Sequence, residues 1–420
     1  MNIKLVIGKL KKTGFFHVFS ASIFNYVISF FGSFVLVRIL SKDAYGLYGY
    51  VWNLYSFFAL FSGLGMVSGV LQLCSESRSV TGAASIFLYA IKNAIKVNVV
   101  LSVVIFLFSY IHVLPLFGAN DLLAMVAFFP LITIVFELFL SFIRAQLHAR
   151  MYSYLSGLSV TLNVFFSVLF AYYWSTAGFF VGKYIAGGLL VSVVVILYKV
   201  RFACKSTELP DCCKKKMWSL SFLSMLNNAL SAMLPIIEIL VIGYVIRDSE
   251  SVAMYKVATL IPFALLTLSS AFVTYIYPYF AKNRLNYVWV REYYKKSLVL
   301  LGILYFFVCA FFIVFGKKII MICFGEEYIG SYIMYCILLI GTYFQGTFVT
   351  LTGNVIVTQQ KLRFNLLSDI VSFFVCALAT FFLVSEMKIL GAAVAHVITI
   401  LISSCMSVLY MHILLKNTKG

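Results

Sequence analysis

The chain has 420 residues, of which 63% are hydrophobic and only 11% charged, and its formal net charge is +18. A soluble globular domain holds about 25% charged residues, so this composition excludes one and points to a protein of the bilayer. The positive charge does not indicate a nucleic-acid partner, because the basic residues are scattered through short breaks and form no single patch.

The apolar runs are each about twenty residues long and do not alternate polar with apolar, so they read as membrane helices rather than barrel strands. A basic start, Lys4 to Lys12, precedes the first run, Phe15 to Val37; with no small-residue cleavage site it is read as an uncleaved first span. The following spans are expected at Tyr45 to Leu73, Ser85 to Leu114, Asp121 to Ile143, Tyr154 to Tyr173 and Ala177 to Leu197. Then comes the longest hydrophilic run, Tyr198 to Met217, which holds Lys199, Arg201, Lys205, Lys214, Lys215 and Lys216 against Glu208 and Asp211. Six further spans follow, at Trp218 to Ile246, Val252 to Tyr279, Leu298 to Phe315, Tyr328 to Val357, Leu362 to Val384 and Ile389 to Leu415. The expected fold is an all-α polytopic membrane protein. About twelve transmembrane helices would form two six-helix lobes, 1–200 and 218–420, joined by a cytoplasmic linker over 201–217 and arranged around a central cavity.

Loop charge orients the chain. One set of breaks is strongly basic, including Arg144 and Arg150, the linker, Lys282 to Lys296, and Lys361 with Arg363. The other set carries acids beside its bases, as in Lys42-Asp43, Arg247 to Glu250 and Glu386 to Lys388. Positive loops stay inside, so both termini are expected in the cytoplasm. The halves also repeat one another. Asp43 to Tyr48 matches Glu250 to Tyr255, Ala149-Arg150 stands where Gln360-Lys361 stands, and Ala177-Gly178 corresponds to Leu390-Gly391. A duplicated unit with an even number of spans gives two halves of the same orientation.

The stretch RILSKDAYGLYGY, with Arg38, Leu40, Tyr45, Gly46 and Tyr48 in place, resembles that of the Wzx-type polysaccharide-biosynthesis flippases. These belong to the superfamily that also holds multidrug antiporters of the MATE type and lipid-linked peptidoglycan-precursor flippases. IEILVIGYVIRDSESVAMYKVATLIP and FGEEYIGSY are similar to the family as well, although Glu238 stands where it often has aspartate and Ala253 where it has glycine. The resemblance implies a flippase of the bacterial inner membrane, not an enzyme. It would carry an undecaprenyl-pyrophosphate-linked oligosaccharide from the cytoplasmic to the periplasmic leaflet by alternating access. Twelve spans rather than fourteen favour the branch that handles O-antigen or related repeat units. A polysaccharide polymerase, a chain-length regulator and membrane lipids are then the expected partners, with no cofactor and no metal.

Sugars and pyrophosphate cross hydrocarbon only if the protein supplies polar partners. Candidates to bind substrate are Lys183, Lys256, Arg144, Asn25 and Asn228. For the cations the competing reading is snorkelling to the headgroups, and for the amides it is hydrogen bonding between helices. Three intramembrane acids, Glu137, Glu238 and Asp369, are candidates to couple transport to H+ or Na+, because a buried carboxylate changes charge when it takes up a cation. Glu137 comes first among them, lying deep in a span with no close base on its own helix. His396 reads as an interior, hydrogen-bonded histidine. The rival functions are a multidrug or organic-cation antiporter, favouring an acidic cavity, and a membrane enzyme such as an O-antigen polymerase, which the short outer breaks oppose.

Overall fold

A computed structural model describes residues 15–77, 80–111, 114–201 and 209–416. The basic start Lys4 to Lys12, and Lys205 and Glu208 of the linker, lie outside the described residues. Fifteen α-helices and no strand occur among those described. They are α1 Phe15–Ile39, α2 Lys42–Ala59, α3 Met66–Glu76, α4 Val80–Tyr110, α5 Ala119–Val126, α6 Phe129–Ala145, α7 Ala149–Arg201, α8 Asp211–Ile246 and α9 Ser249–Lys282. There follow α10 Tyr287–Val314, α11 Gly316–Cys323, α12 Tyr332–Phe344, α13 Thr350–Thr358, α14 Leu362–Met387 and α15 Ile389–Lys416.

Among the described residues, eight helices are long and apolar enough to cross a membrane, and the number rises to eleven when three bent helix pairs each count as one. The 53-residue α7 adds the twelfth, because it folds back on itself at Trp174 and Ser175 (φ 52°, ψ −136°). Past that turn the helix runs against its own first arm, with Gly178 on the Phe170 carbonyl and Gly182 on that of Phe166. The chain is thus a multi-pass membrane protein, and its described residues hold twelve apolar helical passes, the number expected.

The expected duplication is visible in the backbone. Lys388, between α14 and α15, has φ 54° and ψ −136°, nearly the angles of Ser175, and Gly391 lies on the Leu383 carbonyl as Gly178 lies on that of Phe170. The left-handed residues Leu147 (φ 60°) and Gln360 (φ 61°) are separated by the same interval as Ser175 and Lys388. Ser41 and Asp248 each cap a helix N-terminus through the side chain, at the same interval as the left-handed Gly118 and Gly325. The left-handed turn corrects one register. His148, not Arg150, is the counterpart of Lys361, because the left-handed Leu147 and Gln360 are kept while the side chains around them are not. Non-glycine residues in this region carry about 1–3 kcal/mol of backbone strain, which glycine avoids. Ser175→Gly and Lys388→Gly are each expected to raise stability by about 1 kcal/mol, read as a higher melting temperature in detergent; unchanged melting would show no stored strain.

Several boundaries differ from the sequence expectation. The second span breaks at the turn Ser62–Gly65, where Gly63, Leu64 and Gly65 all have positive φ, and α2 and α3 meet at 45°. The fourth breaks between α5 and α6 at 42°. One fully buried side chain serves both breaks. Asn98 Oδ1 accepts from Gly63 N–H at 2.7 Å, while Nδ2 donates to the Pro130 carbonyl at 2.7 Å and to Ser62 Oγ at 3.0 Å. Helix ends freed in lipid need such partners, and Asn98 supplies them from α4. The break expected from Lys282 to Lys296 is mostly helix. α10 starts at Tyr287, capped by Asn286, and Glu292 pairs with Lys296 one turn on at 2.6 Å. The tenth span carries a π turn at Gln345–Val349.

Two compact units divide the chain: residues up to Ala44 with Val51–Ala229, and Tyr45–Tyr50 with Leu230 onward. This division and the one expected at Met217 fall in the same helix, α8. In the first unit α1 packs along α7, and α6 lies on α3, α4 and α7 around Phe87, Phe139 and Phe142. In the second, α15 packs on α14 and α12, and α9 on α12 and α13.

Candidate functional site

The first unit holds an open cavity of about 550 Å³ lined by α1, α2, α6 and both arms of α7. Its walls are aromatic at Trp52, Tyr55, Phe129 and Phe136, and polar at Ser56, Thr133 and Asn163. Two charges open into it. Lys183, from the second arm of α7, holds its ammonium 5.0 Å from the Trp52 ring centroid and 5.3 Å from that of Phe179. Glu137, from α6, exposes its side chain to the same space. No ion pair joins them, so the cavity holds opposite charges that remain apart.

The second unit contains a smaller cavity, about 270 Å³, with a different chemistry. Glu238 on α8 is only 1% exposed. Its Oε1 stands 2.7 Å from His396 Nδ1 of α15, and its Oε2 accepts from the Tyr255 hydroxyl of α9 at 2.8 Å. The Cys376 thiol of α14 is 3.7 Å from Oε1. Gln345, first residue of the π turn, lines this cavity and leaves its buried Oε1 without a hydrogen-bond partner. π turns within helices are frequent at functional sites. His396, expected as an interior histidine, is 6% exposed and bonded to an acid 158 residues away. Sequence spacing held no signal for that pairing, and none for Asn98, Cys376 or Gln345.

Lys256 lies in neither cavity. Its buried Nζ has no hydrogen-bond partner and sits 3.8 Å from the Tyr48 ring centroid and 5.3 Å from that of Tyr45. Cation–π attraction is stronger out of water and suits such a seat. Gly49 makes room for the lysine stem, since a Cβ there would come within 2.8 Å of Lys256 Cδ. Gly46 likewise admits the Ser249 carbonyl. The stretch Tyr45-Gly-Leu-Tyr48-Gly49 is therefore a seat for α9 and its lysine. Asn25 donates to Ser156 Oγ at 2.7 Å and ties α1 to α7, as expected for an amide that joins helices. Arg144 is exposed at the end of α6, 5.7 Å from the Tyr152 ring centroid. Asn228 is exposed on α8, and Asp369 is half-buried on α14; neither lines a cavity described above.

Comparison with known proteins places this geometry in a family. The family profile described as polysaccharide biosynthesis protein matches residues 35–333, most of the chain. The chain belongs to that polysaccharide biosynthesis protein family. A search of curated protein sequences gives no match. Among solved structures, an inward-facing multidrug resistance MATE family transporter of the MOP superfamily is similar at a TM-score of 0.74 and 14% identity, over 94% of this chain and 96% of that one. The lipid II flippase MurJ, in an inward closed conformation, is similar at 0.73 and 12% identity, over 94% of this chain and 87% of that one. A MOP superfamily transporter from Pyrococcus furiosus, described as having a binding pocket of reverse polarity, is similar at 0.63 and 13% identity over 96% of each chain. At these identities the likeness establishes the fold. This polysaccharide biosynthesis family member has the two-lobe fold of MOP-superfamily flippases and transporters.

Proposed function

We propose that the protein is a flippase for a lipid-linked oligosaccharide. Its cargo would be an undecaprenyl-pyrophosphate-linked repeat unit of O-antigen or a related surface polysaccharide. It carries this head group from the cytoplasmic to the periplasmic leaflet of the bacterial inner membrane by alternating access, and catalyses no bond change. The observation that carries the reading is the match to the polysaccharide biosynthesis family, on a fold shared with a lipid II flippase. Lys183, unpaired at the wall of a cavity, supplies a cation for an anionic group of the cargo. A polymerase and a chain-length regulator would receive the product on the far side.

For coupling to H+ or Na+ we assign Glu238 rather than Glu137. Glu238 is enclosed with a titratable neighbour, His396, whereas Glu137 opens into the larger cavity where a ligand would meet it. Glu137 also supports a second reading, a cation antiporter, since a carboxylate in a cavity suits an organic cation. Reconstituted proteoliposomes separate the two. A flippase moves fluorescent lipid-linked oligosaccharide and leaves ethidium where it is; the reverse result would replace the first reading with the second.

Two further results are expected. Lys183→Ala should reduce surface polymer at least about tenfold in a complemented deletion strain at equal membrane abundance, with Lys183→Arg retaining part of it. Full complementation by Lys183→Ala would make this lysine structural. In a cysteine-free background, Lys214→Cys should be labelled only from the cytoplasmic side and Glu386→Cys only from the periplasmic side, which places both termini inside; an outward Lys214→Cys would invert the orientation.

A further inference from the structure

The cavity of the first unit contains an unusual pairing: one cation and one carboxylate, both open to it and neither neutralised. Lys183 has the rings of Trp52 and Phe179 beside its ammonium, and Glu137 projects from α6. Neither forms a hydrogen bond or ion pair with any described residue. The backbones that carry them cannot drift together, because the second arm of α7 is packed hard on α6: a Cβ at Gly187 would come within 2.6 Å of Ile132 Cγ2. Opposite charges held apart inside a membrane protein each lack compensation, and attraction across such a space is strong. A ligand bearing the inverse pair, an anion at one end and an ammonium at the other, compensates both at once. A neutral sugar compensates neither, and a singly charged one compensates half.

We propose that this cavity is a binding subsite for a zwitterionic saccharide, with Lys183 taking the carboxylate or phosphate of one sugar and Glu137 the free amino group of another. The volume of about 550 Å³ lies within the range of small-ligand pockets, and the aromatic walls suit the apolar faces of sugar rings. The inference rests on the flippase reading and names the cargo: a repeat unit with an unacetylated amino sugar near an acidic sugar. A zwitterionic phospholipid head group has the same chemistry, and the test separates the two.

The probe is the disaccharide of glucuronic acid and unacetylated glucosamine, compared with its N-acetylated form, its methyl ester and the form carrying both changes. Binding to the purified protein is read by tryptophan emission, since Trp52 lines the cavity, with Trp52→Phe identifying the signal. The zwitterion should bind at least about tenfold more tightly than either singly charged form. Lys183→Gln should erase the advantage due to the carboxylate, and Glu137→Gln the advantage due to the amine. If the glutamine variants do not fold, the four ligands on the wild type decide alone. Equal binding of the zwitterion and its N-acetylated form would overturn the proposal, as would tighter binding of glycerophosphoethanolamine, which would assign the cavity to a lipid head group. The measurement needs no transport. Flipping of lipid-linked oligosaccharide without discrimination among the four ligands removes the inference and leaves the flippase; discrimination without flipping removes the flippase and leaves the binding site.

Discussion

Glu238→Gln is expected to abolish the response of transport to an imposed H+ or Na+ gradient, while leaving the protein folded and substrate bound. The reason is the enclosure of this side chain. Its two oxygens are occupied by His396 at 2.7 Å and by the Tyr255 hydroxyl at 2.8 Å, and it is 1% exposed. Glutamine has the same shape, still accepts from Tyr255 and presents its amide to His396, so the packing survives. Only the change of charge is lost, and with it the means by which a cation's arrival alters this cluster. Glu238→Ala is the poorer test, since it leaves two buried polar groups unpaired at about 1–3 kcal/mol each and confounds coupling with stability. The assay is flipping in proteoliposomes with and without the gradient: stimulation should vanish, with movement down the substrate gradient remaining. A glutamine variant that responds as the wild type does would return the coupling role to Glu137 or Asp369.

The second large effect is structural. Gly178→Leu and Gly391→Leu should each remove most of the folded protein from the membrane, and to similar extents. At both positions a Cβ would run into a backbone carbonyl of the preceding helical arm, Phe170 in one half and Leu383 in the other. Backbone in a packed hairpin cannot swing aside as a side chain can, so the arms must part. Overpacking costs typically about 1–3 kcal/mol, and a clash with main chain falls at or above the top of that range. Gly188→Leu is the matched control, since nothing lies within 4 Å of a Cβ there, and it should accumulate normally. Size-exclusion profiles of fluorescently tagged variants in mild detergent read the difference. If Gly391→Leu behaves like the control, the second hairpin is looser than the first and the two halves are not equivalent.

The linear pattern alone identifies a multi-pass membrane protein of about twelve apolar runs whose halves repeat. Those are properties of consecutive residues: a run of about twenty apolar side chains has one low-energy home, and a backbone in lipid has to satisfy itself as helix. It also singled out Lys183, Glu137, Glu238 and Lys256, because a charge inside such a run is conspicuous wherever it points. What each charge meets depends on how the helices pack. Glu238 and His396 are 158 residues apart, and no spacing rule links α8 to α15. Lys183 and Glu137 looked like members of separate classes until α6 and α7 placed them in one cavity. The breaks at Ser62–Gly65 and between α5 and α6 were equally hidden, since hydropathy continues through both, and what holds them is one amide, Asn98, reaching across from α4. Helices in a bilayer form from local sequence, but the partners of a buried polar atom are chosen by packing, where every candidate helix is nearly equally apolar and only shape tells them apart.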